Sequence, residues 1–421
     1  MTSTCSSNLL GSRPPVLSVL GFGLLGLLCM PMTVGAQERP FGIAVRQSAT
    51  YDSNVLRLPA GIAPPPGSGL SSRGDWFSAT SLSADYANTF GAQYVRASID
   101  FTALRFQNLA DRDSNAYTVR GNWNGDLGRA WFVAADASRS RFLVALVNQP
   151  GLERNDRTVH TLGLSLGRRL TTNWSLVGRT DYTDISNSAA SFRQTDRRIR
   201  GVEAGVRYQP QSGIEASVVF RRVDGSSPVA QRADVLGFPV FQPVDTSFTQ
   251  DQVVVRGRYV VTGKSTFDGE AGLSRLSFNA PQLTGFSGVL FGASYNYALS
   301  DVLALSATAR RDLTNTAVAF AAPVDQWSLV LGATWHLTGR TSVSAAIEAR
   351  RLNFFAEPSA VALDRSNRVD DLRSVSLNVS YELLRTVFLT GSLQRFERRS
   401  TFAGLNTSAN IATVGAEWRF R

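Results

Sequence analysis

The sequence predicts an all-β fold: a transmembrane antiparallel β-barrel of about 18 strands, with short turns at one end and longer loops at the other. Three observations carry this. From Phe41 to Phe420, segments of roughly ten to fourteen residues alternate apolar and polar. The breaks between them are alternately short and long. The exported part of the chain has no cysteine and no second apolar run of the roughly 18 residues a membrane helix needs.

The leader is set aside first. Residues 16–30, VLSVLGFGLLGLLCM, form an apolar run preceded by Arg13 and followed by Val34-Gly35-Ala36, a small-residue site of the secretory kind. Residues 1–36 therefore read as a signal peptide cut after Ala36, and residues 37–421 as the mature barrel. Cys29 follows Leu28 where a lipidation site wants a small residue, which argues against a lipid anchor. Both cysteines and all three methionines fall in the leader, so the mature chain has no disulfide, thiol nucleophile or cysteine metal site.

Lys+Arg total 43 and Asp+Glu 33; without Arg13 the balance is 42 to 33, a net +9. Only Lys264 is a lysine, so the positive charge is nearly all guanidinium, suited to planar bidentate contacts with carboxylates or phosphates. A basic balance also suits nucleic acid, but the leader exports the chain away from it.

The alternation is clearest in DQWSLVLGATWHLTGR. There Trp327, Leu329, Leu331, Ala333, Trp335 and Leu337 share one face, and Ser328, Val330, Gly332, Thr334 and His336 the other. The same pattern runs through Val289–Tyr297 and Val375–Leu383. Short breaks fall at 88–91, 125–128, 171–173, 210–213, 262–265, 300–301, 338–340 and 384–385. Long ones fall at 52–74, 107–114, 143–156, 187–196, 224–248, 279–285, 314–325, 355–370 and 400–408. A soluble sandwich explains neither this interleaving nor strands twice the usual length. In lipid, the sheet has to close on itself with apolar side chains outward. The last segment, SANIATVGAEWRFR, puts Ala412, Val414, Ala416, Trp418 and Phe420 on one face and ends on an aromatic before Arg421, as outer-membrane barrels do near their assembly signal.

With apolar residues outward, ten arginines face the lumen: Arg46, Arg96, Arg120, Arg179, Arg207, Arg221, Arg256, Arg258, Arg310 and Arg350. So do nine acids: Asp100, Asp136, Asp181, Glu203, Glu215, Asp268, Glu270, Glu348 and Glu382. Near balance favours a wall of cross-strand ion pairs. The alternative is an anion-attracting ring of guanidinium groups. For that ring the leading pair is Arg256 and Arg258, successive inward positions with no acid between them, and Arg96, Arg120, Arg179 and Arg310 are further pore-lining candidates. Tyr94 offers an inward aromatic face for sugar rings. Rim and loop arginines such as Arg139 and Arg141 suit the phosphates of outer-membrane lipid and lipopolysaccharide as well as a substrate.

The string Tyr51-Asp52-Ser53-Asn54-Val55-Leu56-Arg57-Leu58-Pro59 resembles the N-terminal signature of EpsL-like outer-membrane proteins, barrels of exosortase (PEP-CTERM)-associated exopolysaccharide clusters within a broader class of β-barrel porins. Tyr51, Asp52, Asn54, Arg57 and Pro59 carry the resemblance, which spans about ten residues. It implies an outer-membrane role in exporting or assembling an exopolysaccharide, with periplasmic or inner-membrane export machinery as partner. A general diffusion porin for small solutes is the second reading. Physically, Asp52, Ser53 and Asn54 are turn formers and Pro59 stiffens the residues after it, so the segment caps the strand end, folds into the mouth, or forms an ordinary loop.

Other signals point away from catalysis and cofactors. VTGKST at 261–266 has Arg258 where a phosphate-binding loop needs glycine, so it reads as a hairpin turn. His160 and His336 each stand alone in their segments, which supports neither a metal site nor a serine–histidine enzyme. Arg73-Gly74-Asp75 reads as the end of a loop.

Overall fold

The computed structural model describes residues 40–144, 153–210, 213–226, 231–235, 238–245, 247–280, 285–314, 324–354 and 368–420. The leader expected at residues 1–36 lies outside the described residues. The chain forms β1 (Phe41–Asp52), β2 (Asp75–Phe90), β3 (Gln93–Phe106), β4 (Ser114–Leu127) and β5 (Trp131–Leu143). Next come β6 (Asp156–Arg169), β7 (Trp174–Asn187), β8 (Arg197–Tyr208) and β9 (Ile214–Ser226). A hairpin, β10 (Gln231–Val235) and β11 (Phe238–Val244), stands in the stretch expected as the loop 224–248. After it run β12 (Phe248–Thr262), β13 (Ser265–Phe278), β14 (Phe286–Ala298), β15 (Leu303–Thr314) and β16 (Val324–His336). The chain ends with β17 (Thr341–Phe354), β18 (Val369–Leu384), β19 (Val387–Ser400) and β20 (Thr407–Phe420).

Apart from that hairpin, 18 strands form one sheet in which each pairs antiparallel with the next, and β1 pairs with β20 to close it. This is the predicted barrel. Its strands run 12 to 16 residues, enough to cross a bilayer at a tilt. A barrel of this strand number encloses an aqueous lumen.

Alternation decides which face is which. All seven tryptophans lie on the outer face and are exposed, along with Leu162, Leu164, Leu166, Leu329, Leu331 and Val414. Large apolar side chains exposed in this periodic way are a lipid-facing belt. Trp327 at the loop end carries Arg311 over its ring at 4.8 Å, and Trp131 at the turn end carries Arg168 at 5.5 Å. Such pairs suit the two membrane interfaces, where an aromatic body meets lipid and a cation meets headgroups.

The Tyr51–Pro59 string proves to be the clasp of the closing seam. Asp52 accepts the Asn54 backbone N–H at 2.9 Å and the Arg57 guanidinium at 2.7 Å. The buried Asn54 side chain accepts from Leu58 N at 2.9 Å and donates to Leu58 O, Thr407 Oγ1 and Ser408 O at 2.9–3.0 Å. Ser53 N donates to Asn410 O at 3.0 Å, and Asn410 N returns to Ser53 Oγ at 2.8 Å. Arg57 takes φ 55°, the left-handed region, which turns the loop back over the top of β20. Of the three readings of this segment, the strand-end cap is observed together with a turn into the mouth, where Leu56 is buried and Arg57 reaches the Phe396 ring.

Replacing Asn54 with Ala leaves Leu58, Thr407 and Ser408 without their partner at a buried position. A loss of about 2 kcal/mol is expected, read as an earlier urea midpoint for loss of the heat-resistant folded band in detergent, with unchanged single-channel conductance.

Candidate functional site

The site is the lumen, and three regions of it differ in chemistry. The first is a charged wall. Asp136 on β5 pairs with Arg179 on β7 at 2.9 Å. Two residues along β7, Asp181 meets Arg221 at 2.9 Å, and Arg221 reaches Glu203 at 3.6 Å. Glu203 takes a bidentate pair from Arg256 at 2.6 and 2.9 Å. Arg256 also lies 3.5 Å from Glu270, which lies 3.6 Å from Arg310, and Arg310 meets Asp312 at 2.9 Å. The network runs along the inner wall from β5 to β15. Glu203 and Arg221 are only 8% and 7% exposed, so each buried charge is compensated by its partners.

The register places all ten sequence-predicted arginines on inner rows, but it uses them differently. Arg256, the leading filter residue, is committed to Glu203 and Glu270. Arg258 faces Asp268 in register and approaches it to 3.7 Å, with both side chains about half exposed. The absence of an intervening acid on β12 is real, but the partners come from β8 and β13 across the sheet. Arg179 and Arg310 are paired as above, Arg207 lies 3.9 Å from Glu215, and Arg350 pairs with Glu348. At the seam, Arg46 and Arg419 both hold Glu417, an inward acid absent from the predicted set. Arg96 and Arg120 are exposed to the lumen and make no ion pair among the described residues. They are diagonal neighbours, since Arg96 opposes Asn122 and Arg120 opposes Ser98. Tyr94 is the next inward residue on β3, and Asp85 and Asp100 lie in the adjoining rows. This patch therefore carries two groups of each sign.

The second region, from β16 round through β20 and β1 to β2, is mainly hydroxyl and amide, its charge held chiefly in the Arg350–Glu348 pair and the Arg46–Glu417–Arg419 cluster. Its inner rows hold Ser342, Ser344, Ser374, Ser376, Asn378, Thr390, Ser392, Gln394, Thr413, Ser48 and Ser81. Neighbouring hydroxyls bond across strands, as in Thr50–Thr413 and Ser81–Thr102, both at 2.9 Å.

The third region corrects the expectation of a polar inner face along the whole height. At the loop end several inward positions are apolar and buried, beside buried polar ones such as Arg157, Arg197, Asp370 and Arg398. One cluster joins Val324, Leu352, Phe354, Leu372 and Phe396; another joins Ile199, Val223, Phe248 and Leu276. Val159 and Ile185 continue the collar between them. These side chains pack on one another within each cluster, and Arg368 lies over the Phe354 ring at 4.1 Å. Leu56, Leu109, Val144, Ala189 and Phe192 of the described connections are buried as well, and Arg57 lies over the Phe396 ring at 5.9 Å. In sequence the signal is present as inverted parity: in Leu352-Asn353-Phe354 the apolar residues fall on the inward positions.

His160 points outward, with Thr158 and Leu162 as its outward neighbours on β6, and Arg139 and Asp184 opposite; no serine joins it. Asp75 of Arg73-Gly74-Asp75 is buried at the head of β2, bonded by Asn108 at 2.8 Å, and is not displayed. Among the described residues no cluster of His, Cys, Asp and Glu forms a metal site.

A family described as "Putative beta-barrel porin 2" matches residues 253–420, from within β12 to the end of β20. No curated protein is significantly similar in sequence to the chain. Among solved structures the chain is similar to OccK2 (OpdF) of Pseudomonas aeruginosa, at 10% identity, TM-score 0.47, covering 90% of this chain and 97% of that one. It is also similar to the alcaligin outer membrane receptor FauA of Bordetella pertussis, at 12% identity, TM-score 0.41, covering 91% of this chain and 77% of that one. A closed antiparallel barrel with a tryptophan-studded apolar exterior and a match to a porin family is a bacterial outer-membrane barrel, and a channel role is supported.

Removing one carboxylate from the charged wall unmasks guanidinium. Glu203→Gln is expected to raise the anion-over-cation permeability ratio by about fivefold, the effect of one unit charge at 4 Å in water, measured as the reversal potential across a salt gradient. Arg256→Ala is expected to move the ratio the other way.

Proposed function

We propose that this barrel is a non-enzymatic outer-membrane channel that exports or helps assemble an exopolysaccharide, passive at this membrane. The observation that supports it best is the division of the lumen. Its charges are largely spent on one another along one wall, while the opposite wall offers rows of hydroxyls and amides. A polyhydroxylated chain exchanges hydrogen bonds with such a wall at many equivalent places, and weak, repeated sites let it enter without being trapped. The polysaccharide assignment itself rests on the resemblance of Tyr51–Pro59, and so does the partnership with periplasmic or inner-membrane export machinery. No nucleotide-binding motif is present in the sequence, so the driving force comes from upstream.

The apolar collar favours this reading over a general diffusion porin. A diffusion porin keeps a wet passage through both mouths. Here the loop end carries buried apolar clusters, and a chain arriving from the periplasm has to pass them.

Purified protein in planar bilayers is expected to conduct rarely, and Leu372→Ser with Phe396→Ser to conduct more often, because two polar side chains wet the collar. A wild type that is fully open, with no gain in the variant, removes the collar as a gate. Deleting the gene is expected to abolish surface polysaccharide staining; normal staining overturns the export function and leaves the channel.

A further inference from the structure

The lipid-facing belt carries a groove on one side. Between β3 and β7, Ala97, Ala135 and Ala137 floor a groove of about 520 Å³ walled by Trp123, Leu164 and Tyr182. These side chains occupy outward positions, so the groove opens to the bilayer and not to the lumen.

At the groove's extracellular end the chemistry changes sign. The outward residue above Ala137 is Arg139, exposed and flanked in register by Val119 and His160. Its guanidinium lies 5.9 Å from the Tyr117 ring centroid and makes no ion pair among the described residues. Arg200, also exposed, stands three strands away on β8, opposite Tyr182 on β7 and Asp224 on β9. The acids nearby each have an arginine: Asp184 has Arg198 at 3.5 Å, Asp224 has Arg222 at 3.7 Å, and Asp156 has Arg141 and Arg154 at 3.1 Å.

We infer that this face binds one lipopolysaccharide molecule of the outer leaflet, with an acyl chain in the groove and its two lipid A phosphates divided between Arg139 and Arg200. A flexible apolar chain fills a slot floored by alanine, and a guanidinium at the edge of an apolar belt pairs best with a planar or phosphate anion. The charge stands at the extracellular end, the side on which lipopolysaccharide lies. A second copy of this chain is a poorer occupant, because the outward acids it would bring are spent. Asp325 is held by Arg311 at 3.0 Å, Asp371 by Arg351 at 2.9 Å and Glu397 by Arg399 at 2.7 Å. The inference rests on the outer-membrane placement and is independent of what the lumen carries.

The test is native mass spectrometry of the full-length barrel in detergent, titrated with diphosphorylated lipid A and, separately, with dephosphorylated lipid A. One adduct per barrel is expected with the former. Arg139→Ala with Arg200→Ala is expected to weaken it about tenfold, the loss of a charge-assisted hydrogen bond. Ala137→Trp, which fills the groove and keeps every charge, is expected to do the same; should it not fold by heat-shifted migration, Ala97→Leu serves instead. Conductance is expected to remain as in wild type for all of them. Unchanged affinity in both kinds of variant, equal binding of the two lipids, or a dimer that the groove-filling variant dissolves overturns the proposal.

Discussion

The whole structure depends on closing a sheet where nothing outside can satisfy its edges. Hydrocarbon offers no partner to a free N–H or C=O, so the first strand has to find the last across the length of the chain. Arg46 and Glu417, which meet at that seam, are 371 residues apart in sequence. Ordering so long a loop is entropically unfavourable until the final pairing forms. The seam is accordingly held at two levels: inside by the Arg46–Glu417–Arg419 cluster, and at the loop-end rim by Asn54 bonded to Thr407 and Ser408. The short string that resembles a family signature thus performs a structural task, and its residue types reflect that task. An amide that both donates and accepts is needed at 54, a carboxylate at 52 to fix the turn, and a cation at 57 to neutralise it.

Closure also dictates how the lumen handles charge. A closed cylinder turns many side chains inward that an open sheet leaves to bulk water. Where they crowd, as at Glu203 and Arg221, an unpaired charge is costly and the network of alternating signs relieves it. Where the wall is roomier, Arg96 and Arg120 remain extended into the lumen. The lumen's selectivity is therefore a property of the unbalanced remainder and not of the number of arginines that line it.

Legible in the sequence is whatever alternation and turn length record. Strand number, the outward set and the inward set come from a period of two, which a single strand displays by itself. Pairing is different. Arg256 looks free because no acid neighbours it on β12, yet Glu203 stands 53 residues away, on β8. Register between strands decides that contact, and register is not written locally. The collar is hidden for another reason: equating the inward face with the polar face fails at the loop end, where Phe354 and Val324 hold inward parity and pack with Leu352, Leu372 and Phe396. The β10–β11 hairpin escapes notice because a long break reads as loop whether or not it pairs with itself.

The collar and the hydroxyl-and-amide wall constrain each other. Apolar clusters at the loop end make a barrier to ions and sugars alike while they stay packed. A solute with no preference between the packed and parted states leaves that equilibrium unchanged, however well it fits the lumen. A long chain differs from a small solute here. It engages the hydroxyl rows over many residues at once, and its leading end is pressed against the collar by the segments behind it. The work of parting the collar is then drawn from contacts made deeper in the lumen, which a single small molecule cannot make simultaneously. An apolar outer mouth above a polar, largely charge-balanced shaft is thus an arrangement that discriminates by length.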